Sequence, residues 1–141
     1  VVLMIGVLHH MPKPENVIKS LSRILTPDGI IVVNEPQAGN PFIGLLRKIR
    51  KKIDDNYSTD QVEFTKDEIY SMFEKCGYEV KTFSQGVLST PLAESRILPE
   101  FIGIPLAWIA VILDPLLEKL LSILSIKKLT WNVVVHARQK G

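Results

Sequence analysis

Five residues near the start of the chain could do chemistry: Gly6, His9, His10, Asn34 and Glu35. Imidazole and carboxylate are the common groups for taking up or releasing a proton, so His9, His10 and Glu35 are candidate acid–base groups. Gly6 lacks a Cβ and lets the backbone approach a ligand closely. Metal binding is not expected. Neighbours on an extended strand point to opposite faces, which makes His9-His10 a poor ligand pair. No Cys/His/Asp cluster supplies further ligands. No Ser/His/Asp set with a nucleophile elbow occurs either.

The elements around these residues position them. The apolar run Val1–Leu8 ends in His9-His10, and a Pro27-Asp28-Gly29 turn leads to a second apolar run, Ile30–Val33, ending in Asn34-Glu35-Pro36. Uninterrupted apolar runs bounded by turn signals suit strands covered on both faces. Between them Val17, Ile18, Leu21, Ile24 and Leu25 recur at helical spacing. Strand–helix–strand implies two parallel strands joined by a right-handed crossover. Ligands of such sheets bind outside the carboxyl ends of the strands. Gly6–His10 and Asn34-Glu35 occupy those ends, ~5 Å apart if the strands are neighbours.

The segments Val1–His10 and Leu21–Pro36, with Leu25-Thr26-Pro27-Asp28-Gly29 between helix and strand, resemble the second half of class I S-adenosylmethionine-dependent methyltransferases of the type 11 kind. Ile30 stands where most members have a second glycine. The resemblance continues more weakly through Phe64–Tyr78 and Trp131–Arg138. It implies an α/β fold with a Rossmann-like, mostly parallel sheet, a reversed last strand inserted beside the fifth, and a helical cap. It implies S-adenosylmethionine as cofactor, with backbone groups of Ile5, Gly6 and Val7 against its methionine portion and His10 near the methyl. It makes His10 and Glu35 the candidate catalytic residues. The family's glycine-rich cofactor loop is not in these residues, and no G-x-G occurs. The chain is therefore expected to be the carboxy-terminal part of one methyltransferase domain, truncated at its amino terminus and inactive alone.

Composition narrows the class. A chain of 141 residues with 46% hydrophobic content suits one domain with a core. With 17 basic and 15 acidic residues the net charge is +2, which does not suggest a nucleic-acid binder. The single cysteine, Cys76, excludes an internal disulfide framework and fits a reducing, cytoplasmic setting. Its place on a helix's apolar face suits a structural thiol.

Two long connections follow the second strand. In residues 37–64 a helix over Phe42–Ile53 carries an apolar stripe of Phe42, Leu45, Leu46, Ile49 and Ile53, and a basic set of Arg47, Lys48, Arg50, Lys51 and Lys52. Asp54-Asp55-Asn56 into Ser58 signals a loop. Thr65-Lys66-Asp67-Glu68 is a capping box, opening a helix with Ile69, Met72, Phe73 and Cys76 inward and Gly77 as its left-handed end. Tyr78–Phe83 reads as a strand. Leu129–Arg138 alternates, with Leu129, Trp131, Val133, Val135 and Ala137 on one face, as in a strand near a sheet edge. If both connections leave carboxyl strand ends, 37–64 and 87–128 form a cap over the ligand face.

Within 87–128, Phe101–Leu113 is uncharged, and Asp114-Pro115 suits an N-cap and first helical position, predicting two helices. The uncharged piece is shorter than the ~18–20 residues of a spanning helix, so no transmembrane span is expected. Three readings stand: helices packed on the sheet, a lid over a hydrophobic substrate, or an amphipathic surface in a membrane interface formed by 42–53 and 101–126. Two functions follow. One is methyl transfer to a small or lipid-like acceptor. The other is a non-catalytic α/β module with a membrane- or partner-binding apolar cap.

Overall fold

Strand β1 (Val2–Ile5) pairs in parallel with β2 (Ile30–Pro36), Val2 opposite Ile31 and Ile5 opposite Asn34, in the computed structural model of the chain. The structure describes residues 1–53, 62–94 and 98–140. The connecting helix α1 (Pro14–Leu21) starts with proline at its first position, where no amide hydrogen is needed. The last strand, β4 (Asn132–Gln139), runs antiparallel to β2 with Ile30 opposite Arg138 and Pro36 opposite Asn132. With β3 (Tyr78–Gln85) the order is β1-β2-β4-β3, so the reversed strand lies beside the second parallel strand as expected, and inside the sheet.

One face of this sheet carries the core. Ile31, Val33, Val133, Val135 and Ala137 are fully buried against Ile18 and Leu21 of α1 and Ile69 and Phe73 of α3 (Lys66–Lys75). Burying each such aliphatic side chain stabilises by about 1.5–3 kcal/mol. The Tyr78 hydroxyl donates to the Ile18 carbonyl at 3.1 Å, and burial pushes its pKa up. The half-buried Cys76 thiol is likewise pushed up by desolvation, which opposes a nucleophilic role.

Several local expectations are corrected. Val1–Leu8 is not all strand: Gly6 takes φ +60° and Leu8–His10 form a 3-10 turn, because the left-handed conformation at Gly6 ends the extended run. The strands are not covered on both faces. Leu3 and Ile5 are each 63% exposed, since the described helices of the core lie on the other face. Ile24 falls after the end of α1 and is exposed.

The chain divides into two compact units, Val1–Ala38, Gln61–Phe83 and Asn132–Gly141 forming one, Gly39–Asp60 and Ser84–Trp131 the other. In the second unit Asn40 anchors helix α2 (Pro41–Ile53). Its Nδ2 donates to the Leu129 and Thr130 carbonyls, both at 3.0 Å, while its Oδ1 accepts from the Phe42 amide at 2.9 Å. The apolar stripe of α2 faces outward: Phe42, Leu45 and Ile49 are exposed, and Ile43, outside the stripe, is buried. The Asp54–Ser58 loop signal and the side chains of Arg47, Arg50 and Ile53 lie outside the described residues.

The two helices expected at 101–126 are one, α5 (Glu100–Ile123), running through Pro105 and Pro115. Asp114 does not cap a new helix. Its carboxylate accepts from the Leu88 amide at 2.9 Å, the Ser89 amide at 3.2 Å and the Ser89 hydroxyl, holding the start of α4 (Ser89–Glu94). Glu118 accepts from the Gly86 amide at 2.7 Å, and the Gly86 carbonyl accepts from the Trp131 amide. A proline inside a helix removes one hydrogen bond without necessarily ending it. The length argument against a span therefore lapses: by length and composition α5 is long and apolar enough to cross a membrane.

Two outcomes follow from these contacts. The capping box is present, with the Thr65 hydroxyl accepting from the Glu68 amide and the Thr65 amide donating to Glu68 Oε2. That amide, then the Thr65 hydroxyl, hold the Glu68 carboxyl below its ordinary range. Thr65→Ala should destabilise by about 1 kcal/mol in urea unfolding at neutral pH. A depressed folded-state pKa gives stability that is present above the unfolded value and lost as pH falls through the folded one. The cost of Glu68→Gln should thus shrink below pH ~4; a cost that grows on acidification would contradict the box. Second, β1 is an edge strand with Leu3 and Ile5 exposed, a geometry that invites pairing with another chain. The 141-residue chain should self-associate in sedimentation at micromolar concentration, and Leu3→Lys should reduce that association.

Candidate functional site

The turn after β1 is built around one carboxylate. The Val7 and Leu8 amides donate to Glu35 Oε1 at 2.8 and 2.7 Å. The His9 amide reaches Oε2 at 3.4 Å, and His9 Nδ1 lies 2.6 Å from the same oxygen. Glu35 is 0% exposed. The opening amides of a helical turn have no partner within the turn and form a ready anion site, here filled by a side chain from the next strand. A carboxylate that already accepts backbone N–H groups is matched by an Nδ1–H on His9, which leaves Nε2 as the other ring nitrogen.

The amide of Gly6 donates to the Asn34 carbonyl at 2.8 Å, extending the β1–β2 pairing by one bond into the turn. Val7's carbonyl accepts from the His10 amide at 3.2 Å, and His9's carbonyl accepts from the Val62 amide at 3.4 Å. Leu8 plugs into the core beneath the turn. Glu35, Leu8 and the left-handed Gly6 therefore fix the path of residues 6–10 from three sides. The Asn34 side-chain oxygen is buried and has no hydrogen-bond partner among the described residues.

The sequence-predicted residues do converge, though not in the expected roles. The Val7 amide donates to Glu35 and the Gly6 amide to the adjoining Asn34 carbonyl, and Ile5 precedes them at the strand end. His9 and His10 do not point to opposite faces of a strand. They share the turn, with ring centroids 4.0 Å apart and planes tilted by 41°. His9 is buried and His10 is exposed at the rim. Among the described residues no group of three or more His, Cys, Asp or Glu side chains is placed to hold a metal. The Glu35 carboxylate faces the turn rather than solvent, so it holds the turn and has no open path to a substrate. One signal could have shown this: Glu35 has the same strand parity as Ile31 and Val33, both buried.

A sheet with a polar turn at the carboxyl ends of two parallel strands, and a reversed strand beside the second of them, defines a Rossmann-like α/β class of fold, in which ligands bind outside those strand ends. The particular family is shown by sequence. The chain matches the methyltransferase domain family over residues 1–82, more than half its length, and it belongs to that family. No curated protein matches it. Among solved structures it is similar to a SAM-dependent methyltransferase of Thermotoga maritima described as a possible histamine N-methyltransferase. There the TM-score is 0.58 at 17% identity, over 98% of this chain and 55% of that one. It is also similar to the [4+2]-cyclase SpnF, with a TM-score of 0.50 at 17% identity, over 97% of this chain and 49% of that one. The chain spans about half the length of these solved structures. Such identities show the fold alone, and a fold hosts many chemistries.

Glu35→Ala should leave three turn amides without their acceptor, two of them buried with it, and should cost about 3–5 kcal/mol of stability. Glu35→Gln retains one acceptor oxygen and should cost roughly 1–3 kcal/mol. Thermal unfolding checks the order. A Glu35→Ala protein as stable as the parent would show that the clasp does not hold the turn.

Proposed function

We propose that the chain takes part in S-adenosylmethionine-dependent methyl transfer to a small or hydrophobic acceptor. Membership of the methyltransferase domain family supports the reaction class. The observation that carries the cofactor assignment is the clasped turn. The amides of Gly6, Val7 and Leu8 are all engaged internally, so this turn offers a ligand the Gly6 carbonyl oxygen and none of these three N–H groups. Among the described residues nothing donates to the Gly6 carbonyl, and the Asn34 side-chain oxygen is a second acceptor without a partner. An acceptor-rich strand end suits a ligand bearing positive charge, and S-adenosylmethionine carries an ammonium and a sulfonium. Its residues fit here: the backbone of Ile5, Gly6 and Val7 would hold the methionine portion, with His10 beside it.

The cofactor supplies an electron-poor methyl group. The chain's task is alignment, which can account for much of the barrier lowering in a displacement. His10 is exposed at the rim and is the candidate to orient the acceptor or take its proton. Glu35 and His9 are positioning residues that act through the turn. A hydrophobic acceptor is supported by the second unit, where α4 and α5 border an open, apolar groove of about 360 Å³ with Ala93, Ile104, Ala107 and Val111 along it.

The test uses the purified protein. Calorimetric titration should detect S-adenosylmethionine binding. Gly6→Val, which forces a β-branched side chain to φ +60°, should weaken it by roughly tenfold. His10→Ala should leave that affinity nearly unchanged and lower the rate of methyl transfer. A folded protein that does not bind S-adenosylmethionine overturns the proposal.

A further inference from the structure

Helix α5 has its polarity inside out. Its buried residues are Gly103, Ala107, Ala110 and Asp114, a narrow stripe at intervals of four and three. Asp114 and Glu118 turn their carboxylates to the backbone of Gly86, Leu88 and Ser89. The large apolar side chains point the other way: Phe101 is 79% exposed, Trp108 69% and Ile112 78%. A helix on the surface of a water-soluble protein has the reverse arrangement, apolar stripe inward and charges outward. Monomers rarely leave an apolar patch this extensive in water. Helices in lipid turn their ionisable groups toward protein, as α5 does with Asp114 and Glu118, while Glu100 and Lys119 are exposed toward its two ends. The family match ends at residue 82, so α5 lies outside it.

Helix α2, in the same unit, repeats the pattern. Phe42, Leu45 and Ile49 are exposed along one face, and Lys48, Lys51 and Lys52 are exposed on the same helix. The helix contains no acidic residue. We infer that α2 and α5 bind the surface of an anionic lipid bilayer, the exposed apolar side chains entering the acyl boundary and the α2 lysines meeting the headgroups. Charge complementarity selects this occupant over a second copy of the chain. A two-fold interface places the same patch on both sides, and would set the lysines of one α2 against those of the other.

The hydrogen bonds of α5 decide how it lies. At 24 residues it is about 36 Å long, enough to cross. Gly86, Leu88 and Ser89, however, are bonded to Asp114 and Glu118, beyond the helix's midpoint and short of its end. A spanning helix would carry this irregular, polar backbone into the hydrocarbon, where lipid-facing loops do not occur. A helix lying in the interface keeps the loop on the aqueous side and its far face in the acyl region. Trp108, midway along the outer face, has the amphipathic ring favoured at that depth.

Vesicle flotation tests the inference without cofactor or methyl transfer, so its failure leaves the catalytic reading untouched. The purified Trp131→Phe protein, in which Trp108 is the remaining tryptophan, should float with phosphatidylcholine vesicles containing phosphatidylglycerol. Binding should fall roughly fivefold for each lysine removed in the series Lys48→Gln, Lys51→Gln and Lys52→Gln. Added salt should weaken it as well. Trp108 should be quenched by lipids brominated near the glycerol end of the acyl chain. Folding of each variant is checked by circular dichroism. A folded protein that fails to float, that floats with Trp108 unquenched, or that shields Trp108 in a vesicle-insensitive dimer overturns the inference. Strongest quenching by bromine at the chain terminus overturns the in-plane geometry.

Discussion

The buried carboxylate of Glu35 organises the ligand end of the sheet. A charged group taken out of water is costly unless its lone pairs are matched, and here three backbone amides and an imidazole nitrogen match them. The same contacts satisfy the opening amides of the 3-10 turn, which otherwise would be buried without partners. Two liabilities cancel in one cluster. Because Glu35 sits on β2 and the amides follow β1, the clasp also joins the two parallel strands beyond the last ladder bond.

That clasp sets the chemistry of the surface above it. The amides are drawn toward Glu35 and into the Gly6–Asn34 bond, so they do not point outward from the strand end. No acidic side chain of this cluster faces outward, since the Glu35 carboxylate is turned into the turn it holds. His10 is the ionisable group of the original three left at the rim, and its ring rests against His9, which the carboxylate fixes.

The second unit uses a buried carboxylate, Asp114, and a half-buried one, Glu118, in the same way for another end. Asp114 and Glu118 project from the middle of an apolar helix and hold the loop leading into α4. Small residues at Gly103, Ala107 and Ala110 let α4 and its loop approach α5 closely, and Gly103 has the Leu92 carbonyl near its missing Cβ. The consequence is a helix whose polar groups are satisfied on a narrow inner stripe while its broad outer surface is left apolar.

Periodicity determined much of this protein by itself. The strand–helix–strand unit, the capping box at Thr65 and Glu68, the left-handed end at Gly77 and the inward parity of Val133, Val135 and Ala137 are all local signals, written in residues a few positions apart. The site residues Gly6, Val7, His10 and Glu35 were legible as a group because they end neighbouring strands. Their roles were not. Whether Glu35 faces a ligand or a turn depends on where amides 28 positions earlier come to rest, and no spacing rule encodes that. Asp114-Pro115 misled for the same reason: the pair is a good helix start locally, yet the carboxylate found its donors 25 and 26 residues away, and the helix ran on. The outward stripe of α2 was equally hidden, since an apolar pattern specifies a face but not what will cover it. Local sequence fixes torsions and faces, and tertiary structure decides which buried polar groups meet, because that choice is made by partners distant in the chain.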